Sequence, residues 1–376
     1  MIEWKKRCLG ELTSFMSKGI PPKYVEIEND NTVRVLNQKC NRNFEINYEK
    51  SRLHDCSKKK VPSDKMLQAG DVLINSTGTG TAGRVAQLYD VPIPTTIDGH
   101  MILLRPNEEI DPIYYGYAIK SFQTEIEMLA EGSTGQTEIN RKRLQEEIVI
   151  SFPKEKEVQE RIARFLLSID EKIKMNVKIN NNLEEQAFTI FNNMFPNISI
   201  GNKVVGNFIS PKRGKNLLSK NAIPGSIPVI AGGLTPAIFH NEANTVAPVL
   251  TISASGANAG YVNLWNIPVW SSDSSFIDSR MTADVYFWYV MLKKRQQEIF
   301  DAQTGSAQPH IYPRHINELP IANLDSNNIS KFTELVTPLF QKIGTNNLEM
   351  DKLGKLRDSL LPKLMSGEID VASIDI

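Results

Sequence analysis

The apolar positions of this chain recur most regularly between residues 155 and 195. Ile162, Leu166, Ile169, Ile173, Asn176, Asn180, Leu183, Ala187, Ile190 and Met194 are spaced alternately four and three apart. That is the a/d seam of a heptad helix, which needs a partner helix to bury it. Phe332, Val336, Leu339, Ile343, Asn346, Met350, Leu353, Arg357, Leu360 and Leu364 repeat the spacing, each 170 positions after its counterpart. The two seams predict a duplicated protein built around a rod of two long helices. A two-fold relation between the copies places Ile162 opposite Leu364, Phe332 opposite Met194 and Leu183 opposite Ile343. It also places Asn180 opposite Asn346, an amide pair that penalises slipped registers.

The segments before each helix alternate differently. GDVLINSTGTGTAGRVAQLY at 70–89 reads as a strand, a glycine-rich loop and another strand, and TIDGHMILLRP at 96–106 as one further strand. Tyr115, Ile119, Phe122, Ile126 and Leu129 have helical spacing within Pro112–Glu131. The loop GSTGQTEIN and the strand EIVISFP close the segment. A shorter second copy follows: TISASGANAGYV at 251–262 matches the glycine-rich hairpin, and TGSAQPHIYPRHINELPI matches GSTGQTEINRKRLQEEIVI, with Gln308 in the place of Gln136. The domains expected are 1–153, the helix 154–195, 196–325 and the helix 326–376.

Prolines punctuate the rod. Pro153 suits the entry of the first helix and Pro196 its end. Pro338 and Pro362 fall inside the second seam, where a late start or bend and a kink are expected. Gly367 suits a left-handed C-terminal cap.

At 376 residues the chain can hold two or three domains with real cores. It has no apolar run long enough for a membrane span and no apolar leader segment, and its three cysteines lack metal-binding spacing. Reduced thiols in a cytoplasmic protein are the expectation. Net charge is zero, but basic residues cluster at Lys58-Lys59-Lys60, Arg141-Lys142-Arg143, Lys212-Arg213-Lys215 and Lys293-Lys294-Arg295. Lys and Arg neutralise phosphates, while amides and hydroxyls read base edges.

Gly78 to Gly83 spells GxGxxG. A dinucleotide site needs a helix opening at that loop, and strand-like residues follow here instead. Asp170-Glu171-Lys172 falls on the exposed side of the seam and reads as a solvated flank. The five histidines have no metal-ligand spacing, and no GxSxG, phosphate-loop or NPPY/DPPY segment occurs. No catalytic, cofactor or metal site is expected.

Two variable globular segments, each followed by a long helix, resemble the DNA specificity subunit of type I restriction–modification enzymes. LRDSLLPKLMSGEIDV at 356–371, KEVQERIARFLLSIDEKI at 156–173, GSTGQTEIN and GDVLINSTGTG carry the resemblance. It implies an α/β (α+β) fold: two similar target-recognition domains separated by two long antiparallel coiled-coil helices in a pseudo-two-fold repeat. It also implies a non-catalytic role in which each domain reads half of a bipartite site on double-stranded DNA, and the helices set the spacer. Methylation subunits, two of them, would dock on the helices and bind S-adenosylmethionine; restriction subunits would bring ATP and Mg chemistry. The DNA contacts expected are Lys58, Lys59, Lys60, Arg84 and Arg141 in the first domain and Lys212, Arg213 and Lys215 in the second, with Gln136, Asn140, Gln308 and Tyr312 on the matching loops. A structural coiled-coil interaction module and a nucleotide-binding enzyme are the alternatives.

Overall fold

Hydrophobic periodicity sets the helices of the computed structural model, which describes residues 2–132, 137–305 and 308–370. The helices are α1 (Pro112–Ser121), α2 (Gln123–Met128), α3 (Arg141–Glu147), α4 (Lys156–Met194), α5 (Val285–Lys294), α6 (Gln296–Asp301), α7 (Pro313–Asn317) and α8 (Ser326–Ser366). The chain divides into two compact units, Met1–Glu171 with Leu353–Ile376, and Lys172–Lys352. Each unit takes part of both long helices.

In the first unit, four antiparallel strands lie in the order Thr13–Lys18, Met101–Pro106, Val72–Asn75, Val85–Gln87. A second sheet runs Thr95–Ile97, Thr32–Leu36, Arg52–Asp55, Tyr24–Val25, its first pair parallel. The N-terminal strand Trp4–Cys8 pairs with Val149–Pro153. Asp111 caps α1 by accepting from the amides of Ile113 and Tyr114, with Pro112 at the first helical position. One face of α1 buries Tyr114, Tyr115 and Tyr117 in a core shared with Ile162 and Leu166 of α4 and Leu361, Leu364 and Met365 of α8. Ile162 and Leu364 thus meet in one core, as their seam positions require.

The second unit repeats the plan with shorter strands. Lys212–Arg213, Ser274–Asp278, Val249–Ser253 and Val262–Trp265 form the antiparallel sheet. Ile238–His240, Ile227–Ile230 and Trp270–Ser271 form the other, again with one parallel pair. Lys203–Val204 pairs with Pro320–Ile321 as Trp4–Cys8 pairs with Val149–Pro153. Helix α5 packs Phe287 on Phe191 of α4, and Phe191 meets Phe332 of α8 edge-on at 5.4 Å. Phe340 stacks on Tyr286 at 4.9 Å. The long helices therefore bury a second face on their globular segment, which is why Phe340 and Phe191 are buried while Leu339 and Ile343 are only half-buried.

Four expectations change. Helix α8 starts at Ser326, twelve residues before Pro338, rather than late, and stays helical past both prolines. Pro338 and Pro362 are exposed, as are Glu334 and Asp358 four residues earlier, whose carbonyls lose their helical donor where water can replace it. Buried Val336 and Phe340 hold the segment helical around Pro338. Pro153 ends a strand rather than opening a helix. The segment 96–106 is two strands of different sheets, divided by a turn in which Asp98 Oδ1 accepts from the His100 amide at 2.9 Å. Finally, Asp170 is buried rather than solvated: it accepts from Tyr117 Oη and Arg357 Nη1, both at 2.6 Å, and lies 3.8 Å from Lys120 Nζ. Beyond Ser366, Gly367 has φ +77°, the left-handed cap its sequence position called for.

Candidate nucleic-acid interface

The glycine-rich segment of the first unit is a hairpin loop between Val72–Asn75 and Val85–Gln87. It leads into a strand, so it offers no helix N-terminus to a pyrophosphate. Two glycines fix its shape. Gly78 has φ +118°, and a Cβ there would lie 2.3 Å from Thr81 Oγ1; Gly83 has φ +86°, and a Cβ would lie 2.6 Å from Glu127 Cα. Gly83 thus lets the hairpin lie directly on α2. Asn41 braces the far side, donating to the Arg84 carbonyl at 2.8 Å, and the Arg84 guanidinium folds back to donate to the Gly80 carbonyl at 2.9 Å.

Two neighbours attach to this loop through main-chain bonds. The Ser76 amide donates to the His100 carbonyl at 2.8 Å, and the Ile139 amide to the Ser76 carbonyl at 2.8 Å. These bonds bring Thr77, His100 and Glu138 together. Thr77 Oγ1 is hydrogen-bonded to His100 Nδ1 at 2.8 Å. Lys18, at the end of the adjoining strand, forms an ion pair with Glu138.

The second unit builds the same assembly. The Ala254 amide donates to the Asp273 carbonyl at 3.1 Å, and the Ile311 amide to the Ala254 carbonyl at 2.9 Å. Ser255, Asp273 and His310 are brought together in consequence. Ser255 donates to Asp273, and Arg213 Nη2 pairs with Asp273 Oδ1 at 2.6 Å. Gly256 and Gly260 have φ +81° and +88°, as the bend of this loop requires.

The expected DNA contacts distribute unevenly over these surfaces. Lys58, Lys59 and Lys60 are exposed on the loop after Arg52–Asp55. Buried His54 holds that loop: its Nδ1 accepts from the Lys23 amide at 2.8 Å, so Nε2 carries the proton and donates to the Lys59 carbonyl at 2.7 Å. Lys58 Nζ lies 3.5 Å from Asp55. Asn140 caps α3, accepting from the amides of Lys142 and Arg143, which commits its oxygen to the main chain; Arg141 beside it is exposed. Lys212, Arg213 and Lys215 are exposed along one strand and its continuation. Arg213 belongs to the hairpin assembly. Tyr312 stacks on His310 at 5.9 Å, and Arg314 lies 5.4 Å over its ring. Gln308 is exposed on the same loop, and Gln136 lies outside the described residues.

Lys18, Thr77, His100, Glu138, Ser255, Asp273 and His310 were not among the expected contacts. Except for Lys18, their signal was present in the paired stretches INSTG and ISASG, DGH and SSD, TEIN and PHIY. It becomes readable only once the main-chain bonds show which positions correspond.

A family model described as "Type I restriction modification DNA specificity domain" matches residues 1–185. Residues 1–185 of the chain belong to this DNA specificity family. Among relatives of the family chain, a putative type I specificity subunit of Mycoplasma genitalium is 27% identical over 274 residues, 68% of this chain and 71% of that protein. The MjaIX specificity subunit of Methanocaldococcus jannaschii is 36% identical over 99 residues, 26% of this chain and 23% of that protein. The crystal structure of a type I restriction–modification S subunit from M. genitalium shares the fold of this specificity-family chain, with a TM-score of 0.59 at 22% identity over 97% of this chain and 96% of that one. Among the described residues no helix is long and apolar enough to cross a membrane.

Proposed function

We propose that this chain is the sequence-reading, non-catalytic subunit of a type I restriction–modification complex. Its domains, 1–153 and 196–325, each read one half of a bipartite site on double-stranded DNA, and the helices between them set the spacer. The observation that carries this reading is the repeated hairpin assembly: one main-chain scaffold, built twice, presenting different polar side chains. A scaffold kept while its exposed groups differ is what two unlike half-sites demand. Exposed lysines in both units supply the phosphate contacts.

Methylation subunits dock on the long helices, and restriction subunits join that core. Exposed Met175 and Val177 on α4 and Leu335 and Leu348 on α8 leave apolar side chains on these helices for such partners to cover. S-adenosylmethionine, ATP and Mg belong to those cytoplasmic partners. The experiment is co-expression with the cognate methylation subunit and genome-wide mapping of methylated adenines. A split motif that disappears without this chain is the expected result. Methylation independent of the chain, or a continuous motif, would remove the reading.

A further inference from the structure

Main-chain geometry makes four positions of one unit equivalent to four of the other. His100 and Asp273 each offer their carbonyl to the residue after the hairpin strand, Ser76 or Ala254. Thr77 and Ser255 follow those residues and bridge to Glu138 and His310 respectively. Lys18 pairs with Ile102, two residues after His100; Arg213 pairs with Ser275, two after Asp273. The matched pairs are therefore Lys18 with Arg213, Thr77 with Ser255, His100 with Asp273, and Glu138 with His310.

Each set holds a cation, a hydroxyl, a carboxylate and an imidazole. The cation and hydroxyl keep their places; the carboxylate and imidazole exchange theirs. In the first unit the carboxylate is on the two-residue strand Glu138–Ile139 before α3 and the imidazole on the turn; in the second the carboxylate is on the turn and the imidazole on the loop before α7.

We propose that these four positions are the base-reading set of each domain, and that the carboxylate–imidazole exchange makes the two half-sites differ. The proposal rests on the DNA-reading function above. Its physical basis is charge. A cation meant for phosphate has no use for a carboxylate beside it, because the carboxylate cancels its field and is itself repelled by the backbone. Base edges differ: a carboxylate accepts from the cytosine N4 amino group while Arg or Lys donates to guanine O6 and N7, so an ion pair offers the donor and acceptor that one G·C pair presents. The side chains are open enough to do this: Lys18 and Glu138 are 29% and 51% exposed, Arg213 and Asp273 42% and 33%. Moving the carboxylate from the strand before the helix to the turn moves the acceptor relative to the cation, and the base pair read there changes with it.

The test uses the full chain in complex with its cognate methylation subunit, with adenine methylation mapped genome-wide. The double variant His100→Asp/Glu138→His gives the first domain the second domain's arrangement. It is expected to alter at least one base pair in one half of the methylated motif and to leave the other half intact; Asp273→His/His310→Glu should alter the other half. An unchanged motif at wild-type methylation levels overturns the proposal, and so does a uniform loss at all sites from a variant that melts like the wild type. If a double variant melts early, Glu138→Gln decides, since it keeps the shape of an exposed side chain. Discrimination at one base pair should fall roughly tenfold or more, and undiminished discrimination overturns the proposal. Failure of the underlying function is separately visible, because the wild-type complex would then show no split motif.

Discussion

Asn346 Nδ2 donates a 2.7 Å hydrogen bond to Asn180 Oδ1 across the two long helices of the second unit. Asn180 in turn donates to Asn347 Oδ1 at 2.9 Å, and one helical turn earlier Asn176 donates to Glu349 at 2.8 Å. The register read from the heptads is therefore the register of the helix pair here. Asn346 Oδ1 is buried and finds no donor among the described residues. Replacing both asparagines by leucine should raise stability by ~1–3 kcal/mol, the cost of such an orphan, read as a shift in the urea midpoint. In a background without Cys8, Cys40 and Cys56, Asn180→Cys with Asn346→Cys should cross-link within one chain on mild oxidation; absence of the cross-link on a non-reducing gel rejects the register.

Two glycines of one loop should respond differently. Gly83→Ala places a methyl against the α2 backbone at positive φ and should cost about 2–4 kcal/mol. Gly80, at φ +67°, has nothing within 4 Å of a Cβ, so Gly80→Ala should cost only ~1–2 kcal/mol. Thermal melts of the two variants settle the order.

Lys120 titrates in a range where stability can be followed. Burial pushes its ammonium down from 10.5 to about 8, against the opposing pull of Asp170. The unfolded chain then binds this proton more tightly than the folded one, so the folded state gains stability as pH rises from about 8 to 10.5. The wild type should gain over Lys120→Met across that window in denaturant titrations at stepped pH. A constant difference from pH 7 to 10 would contradict the shift.

Alanine at Lys59, Lys60, Lys212 or Lys215 should weaken binding to all duplex sequences alike. The salt dependence of log K should flatten by about one for each phosphate left without its lysine. Arg213→Ala should behave otherwise, changing which sequences are bound more than the salt slope, because Asp273 already neutralises its charge. Filter binding of cognate and scrambled duplexes at several salt concentrations separates the two classes.

The helix pairing within each unit was legible because a heptad seam is a local, repeated signal, and Ile162, Leu364 and the asparagines fall where that signal puts them. Phe340, Phe191 and Asp170 escaped it for a common reason. They are buried by α5 and α1, long-range partners that no spacing within the helix announces. The N-terminal strand was missed likewise, since Trp4 finds its partner at Pro153. The interface was legible as charge but not as geometry. Lysine runs stand out in a sequence, whereas His100 gains its place from a two-residue turn inside a stretch that reads as one strand.

The turns and loops around each hairpin are anchored by amides and carbonyls, and these groups are the same for every residue type except proline. The exposed side chains they present are thus not what anchors them. Such a protein can change what it recognises by drift at a few exposed sites while its fold experiences almost nothing. Selection on target and selection on stability then act on separate residues, so new recognition can arise by point substitution, without exchange of whole domains.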